Sequence, residues 1–263
     1  MNGYIGFLKV QTILICLLFI GFLSTSNKVN AQQFYTDSYV TMPKGTGTFI
    51  LTSGEHNANI YSVFALFKGF ELNFQATLFY EDKPTNATNY FTTNIYAKYT
   101  FWVSNDRSAG AAVFLGIGKA PGYFTNSGYS AMHKNYWTAV PVTIPLFGNT
   151  ISWDIMPGGL VDFDYGDNDK TAWGFTYSSR IAIYKVIPKT AIVGEIFGTE
   201  GQVHSKPEFK AGLRWEPNPW IVVAGTYGAM LDGGQGSGFE LGVMIFTPKF
   251  LSKDFMRNNE IQY

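Results

Sequence analysis

Charged side chains recur at alternate positions in several extended segments of this 263-residue chain. Asp162 and Asp164 lie two residues apart, so in a strand both point to one face, about 7 Å apart. Carboxylates at that spacing suit a cation or repel an anion, and Arg180 on the next segment could pair with them. A network of charges that holds a protein wall together is the more ordinary role for such a set.

The histidines form no catalytic or metal-binding pattern. The chain has three, His56, His133 and His204, each in a polar connection between apolar segments. A lipid hydrolase needs a serine held beside a histidine base, and no His-x-Ser pair occurs. The carboxylate pairs also lack a full set of metal ligands. We therefore expect no catalytic residue, no metal, no cofactor and no enzymatic activity.

The first 31 residues have the pattern of a secretory signal peptide. An apolar run over residues 10–23 is short for a membrane helix, and residues 29–31 offer a cleavage site before Gln32. An anchoring helix is the alternative interpretation. Cys16 is the single cysteine and lies inside the apolar run, so the mature chain would contain no disulfide and no thiol nucleophile.

The composition favours a non-aqueous environment over a nucleic-acid partner. Charged residues make up 14% of the chain and aromatic residues 17%, whereas a soluble domain has about 25% charged residues. Basic and acidic residues are equal in number, 19 each, which gives no support for nucleic-acid binding. After the signal there is no apolar run long enough for a transmembrane helix.

The dominant period along the rest of the chain is two residues, which indicates β-strands. In residues 70–81 aromatic and aliphatic side chains alternate with polar ones, and the same holds for residues 90–102, 151–165 and 238–248. The polar face repeatedly carries acids and bases. If that face encloses a lumen, its charged lining consists of Glu71, Lys98, Asp154, Asp162, Asp164, Arg180, Lys210, Arg214 and Glu240.

We predict about twelve strands in an all-β, closed, antiparallel, up-and-down transmembrane barrel. The predicted ranges are 46–53, 60–67, 70–81, 90–102, 109–117, 136–147, 151–165, 172–184, 190–199, 208–216, 220–229 and 238–248. Connections after even-numbered strands are short and the others are mostly longer, which is typical of such barrels. The second, sixth, ninth and eleventh strands have ambiguous phase, and Pro157 predicts a bend or bulge in the seventh.

A secreted soluble β-sandwich or a lipocalin-like barrel would also alternate, with its apolar face inward. Three features favour a membrane barrel instead. Several strands reach eleven to fifteen residues, tryptophan and tyrosine lie near strand ends, and the polar face carries charges that an inward core would not supply. We therefore expect Trp173 and Ile181 to face lipid and Arg180 to face the lumen.

The domain organisation predicted from these patterns has four parts. Residues 1–31 are the signal peptide, residues 32–45 a periplasmic N-terminal segment, residues 46–248 the barrel, and residues 249–263 a C-terminal periplasmic tail.

Two stretches resemble a known family. They are "YTDSYVTMPKGTGTF" before the first strand and the closing "FKAGLRWEPNPWIVVAGTYGAMLDGGQGSGFELGVMIF". They resemble outer-membrane transporter-like barrels of Bacteroidota type, and the nearest family is the phenol-degradation meta-pathway transporter family. Its W-x-P turn is matched by Trp215-Glu216-Pro217 and its Gly-rich last loop by residues 233–238. The chain departs from the pattern by continuing past Phe246. The resemblance implies passage of small compounds, apolar ones among them, across the outer membrane.

The leading functional prediction is a passive outer-membrane channel for small solutes, with outer-membrane lipid and a small-molecule solute as partners. A barrel of about twelve strands has a narrow lumen that side chains can largely fill. The alternative is a structural or surface-binding barrel, part of an envelope assembly with an envelope protein partner. Residues 118–135, the longest connection, could fold into the lumen or stand outside it.

Overall fold

A computed structural model of the chain describes residues 34–79, 91–121, 124–125, 128–129, 132–165, 170–201, 206–233 and 235–250. Within these ranges twelve strands form one antiparallel sheet that closes on itself, because the first strand pairs with the last. The predicted fold class is thus confirmed. The described residues contain no helix that is long and apolar enough to cross a membrane.

The strands are β1 Gly47–Gly54, β2 Asn57–Phe67, β3 Phe70–Phe79, β4 Phe91–Val103, β5 Gly110–Pro121, β6 Met132–Ala139 with Val142–Leu146, β7 Ile151–Ile155 with Gly158–Tyr165, β8 Lys170–Ile187, β9 Thr190–Glu200, β10 Glu208–Asn218, β11 Ile221–Met230 and β12 Gln235–Phe246. A further two-residue pair, Phe124–Thr125 with Gly128–Tyr129, lies in the connection between β5 and β6.

The two interruptions in β6 and β7 lie at prolines, which cannot donate a ladder hydrogen bond. The sheet nevertheless continues across both. The amide of Val140 donates to the carbonyl oxygen of Pro157 at 2.8 Å, and the carbonyl oxygen of Pro141 accepts from the amide of Ala112 at 3.0 Å. The register is the same on both sides of Pro157, with Ile155 opposite Ser179 and Gly158 opposite Thr176. The bulge predicted there is therefore absent, and a bend stays a prediction.

Alternation along the strands separates two faces. The outer face exposes large apolar side chains, of which Trp173 is 74% exposed, and Ile181 also lies exposed on this face. Arg180, between them in β8, is buried in the interior. A closed barrel leaves no sheet edge for lipid to meet, since each strand has two partners.

The connections divide the barrel into two ends. The end with short connections, residues 68–69, 104–109, 147–150, 188–189 and 219–220, is called the turn end, and the opposite one the loop end. Gly69 has a φ of +72°, which glycine adopts without steric cost in a two-residue turn. In outer-membrane barrels the short turns face the periplasm.

Candidate functional site: the barrel interior

The polar strand faces line the interior, and most of the charged residues expected there are deeply buried. Those below one-tenth exposure are Glu71, Lys98, Asp154, Asp162, Arg180, Lys210 and Arg214. Glu240 is half-buried, and the side chain of Asp164 lies outside the described residues. Burying an unpaired charge costs several kcal/mol, so their partners decide what this lining can do. A role in solute passage stays a prediction for all nine.

Five polar residues occupy consecutive paired positions on β6 to β10, and we call them the charged row: Thr143, Asp154, Arg180, Glu195 and Lys210. The Asp154 carboxylate accepts hydrogen bonds from Arg180 Nε at 3.1 Å and Nη2 at 2.8 Å, and from Thr143 Oγ1 at 2.5 Å. From Asp154 onward the row alternates in sign, so each charge lies beside an opposite one on the next strand.

Register decides the partner of Arg180. It is paired with Asp154 across β7 and β8, whereas Asp162 is opposite Ala172. The sequence suggested Asp162 and Asp164 as partners because they share the face of Arg180. Sharing a face does not set the position along the strand, and the interruption in β7 separates Asp154 from Asp162.

Glu195 was not singled out from the sequence, although it is only 3% exposed. The ninth strand had ambiguous phase, since its glycines and aliphatic residues alternate weakly. The signal that could have found it is its place between two basic neighbours, Arg180 and Lys210, which the pairing of β8, β9 and β10 reveals.

Beyond Lys210 the row continues at two glycines, Gly228 on β11 and Gly238 on β12. Because these positions carry no side chains, the Lys210 ammonium reaches across β11 to Glu240, with Nζ 2.7 Å from Oε2. The ion pairs of this row therefore extend from β7 to β12.

Residues 34–46, which we call the inner segment, cross the interior before β1 begins. The carboxylate of Glu195 accepts hydrogen bonds from the amides of Tyr35 and Thr36, both at 2.9 Å. Thr36 is fully buried. Residues 32–45 were predicted to be a periplasmic segment, and that location stays a prediction. Their described part lies against inward-facing side chains.

Lys98 on β4 holds the middle of the inner segment. Its Nζ lies 2.8 Å from Asp37 Oδ2 and donates to the carbonyl oxygen of Val40 at 2.6 Å. Glu71, paired with Lys98 across β3 and β4, lies 4.0 Å away and accepts a hydrogen bond from the amide of Met42. Buried charges on the wall thus bind both backbone and side chain of this segment.

Tyr39 anchors the inner segment at the turn end. Its hydroxyl donates to the carbonyl oxygen of Arg107 at 2.6 Å, and its amide donates to Thr143 Oγ1 at 3.2 Å. The ring covers Gly110, where an added Cβ would lie 2.2 Å from a ring carbon. Any larger residue at that position would displace the ring.

Three apolar clusters also lie in the interior. One combines Ile50, Val222, Met244 and Phe246, with Met42 of the inner segment packed against it. Another combines Phe34, Ala182, Ala191 and Val193. The third contains Tyr96, Phe114, Ala139 and Met156, with Trp137 against it. Together with the inner segment, they fill much of the interior toward the turn end.

Toward the loop end the lining is polar and partly open. Asn59 donates to Asn57 Oδ1 at 2.7 Å and accepts from Thr77 Oγ1 at 2.5 Å. Tyr35 stacks on the ring of Phe197 with centroids 4.7 Å apart, yet remains 44% exposed. Since Glu195 binds its backbone inside the barrel, the exposed ring face borders open interior space.

His56 is the one histidine whose side chain the structure describes. His56 is buried beside Gly238, its Nε2 3.2 Å from where a Cβ on Gly238 would lie. The side chains of His133 and His204 lie outside the described residues. Across the described ranges, no three histidine, cysteine, aspartate or glutamate side chains are grouped as metal ligands.

Comparison with solved structures places the chain among outer-membrane barrels. It is similar to the KdgM porin with a TM-score of 0.54 at 9% identity, covering 76% of this chain and 98% of that one. The structure of the KdgM porin in complex with disordered oligogalacturonate gives the same values. An outer membrane channel from Pseudomonas putida F1 matches with a TM-score of 0.51 at 12% identity, covering 83% and 99%.

At these identities the likeness concerns the fold alone. No family model matches the chain, and no curated protein matches its sequence. By its fold, and by the apolar outer face that such a fold presents to lipid, the chain is an outer-membrane β-barrel.

Proposed function

We propose that the protein is a passive channel for small solutes across the outer membrane. The observation that carries the proposal is the exposed ring of Tyr35 inside the barrel, which borders open space lined by polar side chains. The similar folds of a porin and of an outer membrane channel support it. Catalysis and cofactors are no part of the proposal.

The solute is proposed to be small. The inner segment and the apolar clusters leave little width toward the turn end, and hydroxyl, amide and charged groups line the rest. Such groups favour a solute that can form hydrogen bonds. Membership of the phenol-degradation meta-pathway transporter family, with its implied apolar solute and Bacteroidota type, remains a proposal. It rests on two stretches, residues 35–49 and residues 209–246.

The inner segment supports a second candidate, a structural or surface-binding barrel with an envelope protein partner. Lys98, Glu71 and Glu195 hold this segment across the interior through buried hydrogen bonds. A plug held this firmly is compatible with a barrel that passes no solute.

Liposome swelling separates the two candidates. The mature chain is reconstituted into liposomes that are diluted into isotonic sugars and amino acids of increasing size. A channel gives swelling that slows as solute size rises, while protein-free liposomes stay constant. If folded protein, verified by its heat-sensitive migration on gels, gives no swelling with the smallest solute, the channel proposal fails and the structural barrel is favoured.

A further inference from the structure

The charges of the interior indicate which ions the channel would favour, an inference that rests on the proposed passage of solutes. Each inward-facing strand base whose side chain the structure describes is neutralised by a carboxylate at close range. The nitrogen–oxygen distances are 2.8 Å for Lys98 with Asp37, 2.8 Å for Arg180 with Asp154, 2.7 Å for Lys210 with Glu240 and 2.9 Å for Arg214 with Glu216.

Two further carboxylates, Glu195 and Glu208, accept backbone amides and lie near bases that are already paired, namely Arg180 and Lys210. Glu195 accepts from the amides of Tyr35 and Thr36. Glu208 on β10 accepts from the amide of Ser237. A backbone amide stabilises a carboxylate but does not cancel its charge, so both leave negative charge in the interior.

Over the described interior positions, the balance of charge is negative. Counting the described inward positions of the strands together with the inner segment, eight carboxylates face five bases. The carboxylates are Asp37, Glu71, Asp154, Asp162, Glu195, Glu208, Glu216 and Glu240; the bases are Lys44, Lys98, Arg180, Lys210 and Arg214. A low-dielectric wall around a narrow lumen concentrates the field of such an excess.

Glu208 lies where that field can reach a solute. It is paired with Phe197 across β9 and β10, and Phe197 carries the stacked ring of Tyr35 that borders open space. Glu208 is itself only partly buried. The ion pair of Lys98 with Asp37, by contrast, lies between the wall and the inner segment, with both partners at most one-tenth exposed.

We propose that the channel prefers cations over anions, and that Glu208 is a specificity-determining residue at the open, loop-end part of the lumen. Carboxylates that line a narrow pore attract cations and repel anions. Neutral solutes pass without this bias, so the charge preference is separable from passage itself.

Planar bilayers with a KCl gradient test the proposal. The wild-type reversal potential is expected to show K⁺ permeability above Cl⁻ permeability. In Glu208→Gln the ratio of K⁺ to Cl⁻ permeability is expected to fall by about threefold, which corresponds to about 0.7 kcal/mol. That is about the interaction energy of one charge with an ion about 6 Å away in water. Glu200→Gln removes an exposed acid at the end of β9 and should leave the ratio unchanged.

The outcomes distinguish this inference from the proposed function. A Cl⁻ preference, no preference, or an unchanged ratio in Glu208→Gln overturns the inference, while swelling with a neutral sugar keeps the channel. Absence of both current and swelling overturns the channel itself and the inference with it. Heat-sensitive gel migration of each variant verifies that the barrel has folded.

Discussion

The inner and outer faces of a single strand show how differently the two sides of this wall are stabilised. On β5, Phe114 is 2% exposed and Leu115 is 64% exposed, although they are neighbours. Phe114 packs against Tyr96 with centroids 5.5 Å apart, and Lys98 Nζ lies 5.4 Å from its ring centre. Leu115 stands on the outer wall, where lipid rather than protein completes its surroundings.

An apolar residue thus does not by itself reveal whether it faces the barrel interior or lipid. Inside, apolar side chains must complete one another's packing, because an unfilled space forfeits contacts. Outside, acyl chains adapt to any apolar shape. Charged residues follow a stricter rule, since the interior admits them only with partners and the lipid face hardly at all.

The largest expected effect comes from breaking the interior ion pair in the charged row. Asp154→Ala leaves Arg180 buried without its carboxylate partner, and removing one member of a buried pair costs about 3–5 kcal/mol. Urea unfolding from phospholipid vesicles, followed by tryptophan fluorescence, measures the loss. Glu200→Ala on the exposed end of β9 is the control and should leave the midpoint unchanged. If Asp154→Ala unfolds at the same urea midpoint as the wild type, the pair of Asp154 and Arg180 does not stabilise the barrel.

A smaller effect separates the two neighbours on β5. Phe114→Ala opens a cavity between Tyr96 and Trp137 and is expected to cost about 3 kcal/mol, at the low end for such truncations because the surrounding rings can relax. Leu115→Ala should cost clearly less, since lipid occupies the vacated volume. The same urea titration measures both. Equal losses would contradict the assignment of the two faces.

The smallest expected effect is a change in the rate of solute passage, caused by a cross-link that holds the inner segment in place. Thr41 Oγ1 and Thr100 Oγ1 lie 3.4 Å apart, so Thr41→Cys with Thr100→Cys can form a disulfide after a small shift. Oxidation is expected to slow liposome swelling and reduction to restore it, if solutes pass by displacing this segment. Thr100→Cys alone is the control. Equal rates in both redox states would show that solutes pass beside a stationary segment.

Much of the fold was predictable because the alternation of apolar and polar side chains can be seen within each strand. Alternation placed Arg180, Lys98 and Asp154 on one face and Trp173 and Ile181 on the other, and the structure has them buried and exposed accordingly. The same alternation put Met244 on the polar face, and it is 1% exposed inside. Pro157 marked the interruption in β7, because proline has no amide hydrogen to donate to a neighbouring strand.

The contents of the interior were less predictable. The inner segment has no periodicity, so no pattern shows that Lys98, Glu71 and Glu195 bind it. Glu195 also escaped notice because the phase of its strand was ambiguous. The apolar clusters arise from side chains far apart in sequence, such as Met42 and Val222, which meet only when the barrel closes.

The sequence by itself determined a closed barrel of twelve strands with an apolar outside and a charged inside, since side-chain alternation is a property of each strand alone. Only the tertiary structure decided that Arg180 meets Asp154 and that residues 34–46 occupy the lumen. Both depend on register and on the docking of an irregular segment, which are set by contacts between residues distant along the chain.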